Sequence, residues 1–352
     1  MDTAATLSRP GVRSLAAGVG AMTLVGGSVA VSRVLIAAPL FTAQMIRYAA
    51  AAFVLLAAAG AAHVPILRPR GREWLWLAGI AATGLVLFNV AVVRGVAHAE
   101  PAVIAVAVAC VPILLGIVGP LLEGQPPRRQ ILAAAVVVTA GSALVEGAGR
   151  TDPTGVAWAV IALCCEAAFT LLAVPVLPRH GAWGVSVHSV WMGAVMLAVL
   201  GLATEGTGAV ARLTAADWAA LAYLAIMVTA LAFLLWYSAV AALGPGRVGL
   251  LTGIAPISAA LTGVLTGGGA PGPIVWTGIL VVVAGLAGGL RARPRRLWAQ
   301  PSRPAGPTQD SPHKRPRISL PDIDPGRTEP GGYRFRYPAR IPRPGAGRRR
   351  VR

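Results

Sequence analysis

Long apolar segments alternate with short polar connections along most of this chain. Each apolar segment has about twenty residues, enough for a helix rising 1.5 Å per residue to cross a hydrocarbon layer of about 30 Å. Ten such segments lie at 14–32, 39–60, 74–95, 101–121, 130–147, 154–176, 184–203, 216–239, 246–266 and 273–290. The connections are rich in Gly, Pro and Arg, as at 65–72 and 147–153. The pattern predicts a polytopic membrane protein.

Helices are the predicted form of these segments. Backbone polar groups in lipid must be paired within the segment itself, which leaves helices or closed barrels. The alternating pattern of barrel strands is absent. Residues 1–32 have the order of a signal peptide, with Arg9 and Arg13 before an apolar stretch. We interpret them as a retained first helix, because the internal repeat described below requires one. The predicted fold is all-α with ten transmembrane helices.

The composition supports this class. The chain has 352 residues, of which 56% are hydrophobic and 12% are charged, whereas soluble domains have about 25% charged residues. This composition argues against a soluble enzyme or a free DNA-binding protein. The cysteines Cys110, Cys164 and Cys165 lie in apolar runs without disulfide or metal-ligand spacing.

Most of the formal net charge of +18 lies in the C-terminal tail. Residues 291–352 contain 17 Lys and Arg, 4 Asp and Glu and 12 prolines. Such a segment buries too little apolar surface to fold alone, so we predict a disordered tail. A contact with anionic lipids is the simpler use of its charge. Arg334 and Arg336 alternate with aromatic residues in a pattern that RNA-binding segments also use, but tethering to a membrane disfavours a nucleic-acid partner.

The arginine distribution predicts the orientation. With the N-terminus inside, the inner connections hold nine arginines and the outer ones hold four. The inner set is Arg9, Arg13, Arg68, Arg70, Arg72, Arg128, Arg129, Arg179 and Arg247; the outer set is Arg33, Arg94, Arg150 and Arg212. Both termini are therefore expected in the cytoplasm.

The two halves of the chain align at an offset of 144 residues. Over 72–147 and 216–291 the alignment has no gap. Its rarest matches are Trp74 with Trp218, Pro101 with Pro245, Pro112 with Pro256 and Pro127 with Pro271. We divide the body into five-helix repeats at 14–147 and 154–290. Since five is odd, the second repeat is inverted, which is typical of secondary transporters with a substrate site at the repeat interface.

Several residues in this framework match a known pattern. Arg47-Tyr48, Pro112, Glu123 and Ala140-Gly141 lie in the first half, and Pro256 and Ala284-Gly285 lie in the second. In these features the chain resembles the EamA-type exporters of the drug/metabolite transporter superfamily. The second half departs from the pattern, with Trp191 at the position of Arg47 and Gly267 at that of Glu123. The resemblance implies export of small metabolites across the cytoplasmic (inner) membrane, driven by an ion gradient or by exchange.

Two charged residues inside predicted spans are the leading candidates for the transport chemistry. Glu166 lies near the middle of the sixth span, where a charge costs about 2.5–3.5 kcal/mol on insertion scales. It is expected to face the bundle interior, either as a proton-coupling carboxyl or as a neutral group bonded to another helix. Arg47 lies about 10 Å from the outer end of the second span by helical rise. It either meets a substrate carboxylate or an acidic side chain, or extends to the outer interface.

The other candidates are polar or helix-breaking residues. Pro112 and Pro256 are predicted in mid-helix, where each frees backbone polar groups that bind substrate, form a hinge or are covered by neighbouring helices. Glu123, near Arg128 and Arg129, is predicted as a gate, an ion pair or a substrate contact. Gln44 and His188 are equivalent under the offset and are expected to line one cavity, unless His188 only packs between helices. Asn89 is a weaker candidate.

Other functional classes leave little trace. The only lysine is Lys314, so no phosphate-binding loop of the ATPase type is present. No cofactor or metal site is predicted, and no enzymatic activity. The alternatives are a flippase for lipids or lipid-linked precursors, and a sensor or scaffold that acts through its basic tail. A homodimer is compatible with the sequence.

Overall fold

The computed structural model describes residues 10–267 and 269–291. Within them, ten helices are long and apolar enough to cross a membrane, which confirms the predicted fold class. They are α1 Gly11–Ala37, α2 Leu40–Ala61, α3 Glu73–Gly95, α4 Pro101–Leu122, α5 Arg129–Glu146, α6 Pro153–Leu171, α7 Leu177–Thr204, α8 Ala215–Leu243, α9 Pro245–Leu265 and α10 Pro273–Arg291. The predicted disorder and lipid contact of the tail concern residues that, apart from Arg291, lie outside the described part.

The boundary between the sixth and seventh spans differs from the prediction. Helix α6 ends at Leu171, and α7 begins at Leu177 instead of residue 184. Pro178 lies in the first turn of α7, where a missing N–H costs nothing. The helix is then kinked at Gly181, whose φ of 61° and ψ of −178° lie outside the helical region. Pro178 thus lies in the first turn of a helix and Gly181 bends it, although the sequence predicted a loop over 178–184.

Two spans are interrupted at equivalent positions. Helix α4 consists of α4a, Pro101–Val108, and α4b, Val111–Leu122. Helix α9 consists of α9a, Pro245–Gly249, a 3-10 turn at Leu250–Gly253, and α9b, Ile254–Leu265. The predicted mid-helix prolines therefore need correction, because Pro112 is the second residue of α4b and Pro256 the third of α9b. Proline is tolerated in a first turn, so the helix restarts just before it.

Helices α3 and α8 each contain a π-helical segment. The segments are Ala81–Leu87 in α3 and Leu224–Leu231 in α8, and they coincide under the 144-residue offset to within one residue. A π segment holds one more residue per turn than an α-helix, and such segments are frequent at functional sites. The two repeats therefore share a local distortion as well as a helix order.

Helices α5 and α10 cross at the small-residue pairs of the two repeats. A Cβ added to Gly141 would lie 2.7 Å from the Val282 nitrogen and 2.8 Å from the Gly278 oxygen. A Cβ added to Gly285 would lie 2.9 Å from Val138 Cγ2. Only glycine permits this backbone approach, which explains why the pair is a feature of both repeats.

The bundle has a closed end and a cavity end. The closed end carries the connections 62–72, 123–128 and 172–176, and the cavity end carries 96–100, 147–152 and 266–272. At the closed end, the Glu73 carboxylate joins the repeats, since it pairs with Arg179 and lies 3.1 Å from His180 Nε2. The two cavities described next lie at mid-bundle and towards the cavity end.

Candidate functional site

A cavity of about 140 Å³ lies between the two repeats. Helices α1, α2, α3, α6 and α8 form its wall. The lining residues are Met22, Val25, Arg47, Tyr48, Gly84, Phe88, Asn89, Glu166, Phe169, Val228, Ala232, Phe233 and Trp236. We call this space the central cavity.

The central cavity lies on the pseudo-two-fold axis that relates the repeats. Ten of its thirteen lining residues form five pairs at the 144-residue offset. The pairs are Met22 with Glu166, Val25 with Phe169, Gly84 with Val228, Phe88 with Ala232 and Asn89 with Phe233. The polar groups break this symmetry, because the equivalents of Arg47, Asn89 and Glu166 are the apolar Trp191, Phe233 and Met22. The shape of the cavity is shared by the repeats, but its chemistry is not.

Arg47 is held from both repeats. Its Nε donates to Thr229 Oγ1 at 2.8 Å, and its Nη1 donates to Gln44 Oε1 at 3.3 Å. Thr229 is fully buried in the π segment of α8. The guanidinium carbon lies 5.4 Å from the centre of the Tyr48 ring. Two of five N–H groups are thus used within the described residues, and the side chain lines the cavity with donors to spare.

The Glu166 carboxyl has no hydrogen bond or ion pair to any residue in the described part of the chain. It lines the central cavity and also a second, larger one. No salt bridge joins Glu166 to Arg47, although both line the central cavity. A half-buried carboxyl at this depth without a protein partner depends on water, a proton or a ligand for its stabilisation.

Asn89 lies beside Arg47 and bonds to the same neighbour. Its Nδ2 donates to the Tyr48 hydroxyl at 3.1 Å and to the Leu85 carbonyl at 2.7 Å. Leu85 belongs to the π segment of α3. The amide oxygen of Asn89 remains as an acceptor on the cavity wall.

The larger cavity, of about 470 Å³, opens from Glu166 towards the cavity end. We call it the wide cavity. It shares Met22, Val25, Phe88 and Glu166 with the central cavity. Its remaining walls include α4a on one side and α9b with Pro256 on the other. The carboxyl groups of Glu146 and Glu166 are the charged groups on its wall, and the rest is largely apolar.

The structure places His188 away from both cavities. Trp191 Nε1 donates to His188 Nδ1 at 3.1 Å, so Nδ1 is an acceptor. Nε2 therefore carries the hydrogen and donates to the Leu67 carbonyl at 2.9 Å. His188 thus ties α7 to the connection between α2 and α3. Its predicted equivalence to Gln44 holds in the alignment, and neither residue lines the central or the wide cavity.

Glu123 and Pro112 are likewise outside the cavity linings. Glu123 is exposed at the closed end, and its Oε1 would lie 3.3 Å from a Cβ added to Gly244, at the start of α9. Pro112 is buried at the start of α4b. Of the predicted site residues, Arg47, Asn89 and Glu166 therefore line the central cavity, Gln44 supports Arg47, and Pro256 lines the wide cavity.

Comparison with known proteins places this arrangement in a family. The sequence profile of the EamA-like transporter family matches residues 13–146 and again residues 153–290. The chain belongs to the EamA-like transporter family. Membership and ten apolar helices make it a multi-pass membrane protein, and the family indicates a transporter rather than an enzyme.

Two curated relatives share most of the length of this EamA-like protein. "Uncharacterized transporter YetK" of Bacillus subtilis (strain 168) is 28% identical over 254 residues, covering 70% of this chain and 77% of the relative. A "Probable terminal-alkyne amino-acid exporter" of Streptantibioticus cattleyicolor is 25% identical over 242 residues, covering 68% and 80%. A solved structure titled "Crystal structure of protein" has a TM-score of 0.67 at 22% identity. It covers 78% of this chain and 96% of its own, and shows the same fold.

Three features of the site in this EamA-like protein were not predicted from sequence. Thr229 gave no signal, because a threonine is ordinary in a transmembrane helix and its role depends on α8 reaching Arg47 in α2. Glu146 ends α5 and reads as an interfacial residue, yet it lines the wide cavity. The π segments have no residue signature. The sequence did contain one unused signal of the cavity wall. The offset of 144 residues pairs Glu166 with Met22, which indicates that α1 also lines the site.

Charged side chains form hydrogen-bonded pairs in the connections at the cavity end. Arg150 Nε donates to Glu100 Oε1 at 2.8 Å, and this hydrogen bond lowers the pKa of Glu100. The Gly155 N–H donates to Asp152 at 2.8 Å, and this bond, followed by that from His98, lowers the pKa of Asp152. These exposed pairs hold the connection between the repeats and take no part in the cavities.

Proposed function

We propose that this protein exports a small metabolite by alternating access between its two repeats. The observation that carries the proposal is the central cavity, on the pseudo-two-fold axis, with Arg47 and an unpartnered Glu166 on its wall. Inverted-repeat transporters bind substrate at this place. The apolar rings of Phe88, Phe169 and Trp236 complete the wall. Amino acids, related metabolites and amphipathic drug-like compounds are the substrate classes that fit.

An amino acid fits the charge arrangement best. The guanidinium of Arg47 donates to a carboxylate, and the Glu166 carboxylate accepts from an ammonium group. The two groups are not paired with each other, so a zwitterion replaces no internal salt bridge when it binds. The relative named as a probable amino-acid exporter supports this choice.

Glu166 is the proposed coupling residue. Glu166 cannot bind a proton and a substrate ammonium group at the same time, because only the deprotonated carboxylate attracts the ammonium. The proton enters from the wide cavity after the substrate has left, neutralises Glu166 and allows the empty protein to change conformation. The proton then leaves on the other side, which restores the carboxylate for the next substrate. Exchange of one substrate for another is the alternative use of the same site.

The proposed location is the cytoplasmic membrane with both termini inside. The excess of arginine at the closed end supports this orientation, with Arg68 and Arg128 in its connections and Arg179 in the first turn of α7. The wide cavity then faces outwards, and the structure corresponds to an outward-facing state.

The test uses purified protein in proteoliposomes that contain a pH-sensitive dye. Radiolabelled neutral amino acids and the cationic dye ethidium serve as probes under an imposed pH gradient. Glu166→Gln should abolish gradient-driven flux, because the amide cannot take up a proton. Counterflow should persist at a raised substrate concentration, because the amide oxygen still accepts from the ammonium group but attracts it less strongly. Asp152→Asn is the matched control, since it removes an exposed carboxyl outside the cavities. Proton-coupled flux unchanged in Glu166→Gln would rule out Glu166 as the coupling residue.

A further inference from the structure

The two broken spans are packed together at one end only. At the closed end, α4b contacts α9a: a Cβ added to Gly119 would lie 2.6 Å from Pro245 Cγ. One turn along, a Cβ added to Gly249 would lie 2.9 Å from Leu115 Cβ. A glycine therefore accepts a larger side chain of the other repeat at two successive levels. Small residues of this kind allow helices in a membrane to approach closely.

The equivalent residues at the cavity end are apart. The offset of 144 residues converts Gly119 and Pro245 into Gly263 and Pro101, and Leu115 and Gly249 into Ala259 and Ala105. Pro101 and Ala105 of α4a and Ala259 of α9b all line the wide cavity. Within the part of the chain that the structure describes, no heavy atom beyond its own helix and chain neighbours lies within 4 Å of the position of a Cβ on Gly263.

The offset of 144 residues also relates the acidic residues next to these contacts. At the closed end Glu123 lies against Gly244. Their equivalents are Gly267 and Glu100, so the carboxyl and the glycine change places between the repeats. Glu100 is held by Arg150 at 2.8 Å in the present conformation.

We infer that Gly263 and Pro101 form the contact that closes the cavity end in the opposite conformation. The inference rests on the alternating access proposed above. Two repeats of one fold, held in two different conformations, generate a second state when they exchange conformations. The contacts of that state are the equivalents of those now seen at the closed end. Pro101 then packs on Gly263, Ala105 meets Ala259, and the wide cavity is eliminated.

The glycine is the critical member of the new contact. It has to accept the Pro101 ring at the distance at which Gly119 now accepts Pro245, and a side chain at 263 would prevent that approach. In the present conformation the same side chain meets open space. A large residue at 263 should therefore block one state and leave the other intact, whereas one at 119 should clash with Pro245 in the present state.

The first test compares Gly263→Leu with Gly288→Leu, a matched control on α10. Its Cβ position likewise has no heavy atom of another described element within 4 Å. Both variants should fold like the wild type. Gly263→Leu should reduce flux of the amino-acid and ethidium probes by about tenfold or more, because the blocked state is lost from the cycle. Gly288→Leu should keep its flux. Equal flux in Gly263→Leu and the wild type would overturn the inference.

The second test is independent of transport. Pro101→Cys and Gly263→Cys are combined in a chain whose Cys110, Cys164 and Cys165 are replaced by Ala, and the protein is oxidised in membranes. A disulfide between 101 and 263 is the expected result. If the pair does not cross-link while flux remains normal, the contact is refuted and the transport proposal stands. If the pair cross-links but no probe is carried by the wild type, the contact stands and the proposed function fails for these probes.

Discussion

Replacement of Gly141 by alanine tests the crossing of α5 and α10. The added methyl carbon would lie 2.7 Å from the Val282 nitrogen and 2.8 Å from the Gly278 oxygen. Favourable contacts between heavy atoms are about 3.5–4.0 Å, so the two helices must separate by roughly 0.7 Å or more. Both obstructing atoms belong to the backbone, so no side-chain rotation relieves the overlap.

The cost follows from that separation. A gap of about 0.5–1 Å forfeits a quarter to a half of the dispersion energy of the atoms that line it. Overpacking of this kind costs about 1–3 kcal/mol, and we expect Gly141→Ala in the upper half of this range. At about 2–4 °C per kcal/mol, the apparent melting temperature should fall by several degrees.

The assay is thermal unfolding of the detergent-solubilised protein, followed by loss of the monodisperse species on size exclusion. Gly288→Ala in α10 is the control, since its added methyl meets open space. It should be neutral or stabilising by up to about 1 kcal/mol, because alanine favours a helix over glycine. If Gly141→Ala melts at the temperature of Gly288→Ala, the helices do not cross as closely as described.

Two further predictions concern the cavity wall and the connections. Thr229→Val removes the acceptor 2.8 Å from Arg47 Nε. It should destabilise the protein by about 1–3 kcal/mol and weaken binding of the amino-acid probes, whereas Thr229→Ser, which keeps the hydroxyl, should do neither. If the Val and Ser variants bind the probes equally well at equilibrium, Thr229 does not position Arg47. The lowered pKa of Glu100 predicts that the pair with Arg150 stabilises the fold above the unfolded-state pKa of about 4 and is lost as the pH falls through the folded-state value. The difference in melting temperature between wild type and Glu100→Gln, measured from pH 7 to pH 3, should therefore shrink at the acid end, and a constant difference would contradict the assignment.

The sequence predicted the spans and the main polar groups because both leave strong local signals. Twenty apolar residues have few stable forms in lipid, and a charge such as Arg47 or Glu166 within them is costly wherever it faces outwards. Both side chains line one cavity, as expected of groups that need shelter from lipid. The offset of 144 residues also paired Pro112 with Pro256, and the two spans that contain them are interrupted at equivalent places.

The features that the sequence did not predict depend on which face of a helix a residue occupies and on where each helix begins and ends. His188 shares an alignment position with Gln44, but its partners, Leu67 and Trp191, hold it near the connection of α2 to α3. Pro112 and Pro256 begin half-helices, because a chain interrupted near a proline restarts where that residue is tolerated. Glu73 of the first repeat pairs with Arg179 and His180 of the second repeat, and the sequence of a single repeat gives no indication of such a contact.

Helices α5 and α10 occupy equivalent places in the two repeats, and they cross at equivalent residues. Exchange of the halves converts α5 into α10 and α10 into α5, so this contact is its own equivalent. The contact therefore has the same geometry in the present conformation and in the opposite one. The contacts of α4 with α9, by contrast, form at one end of the bundle as they break at the other. In the alternating access proposed above, the glycines at this crossing thus mark a fixed pivot, around which the rest of the bundle can rock while α5 and α10 keep their backbone contact.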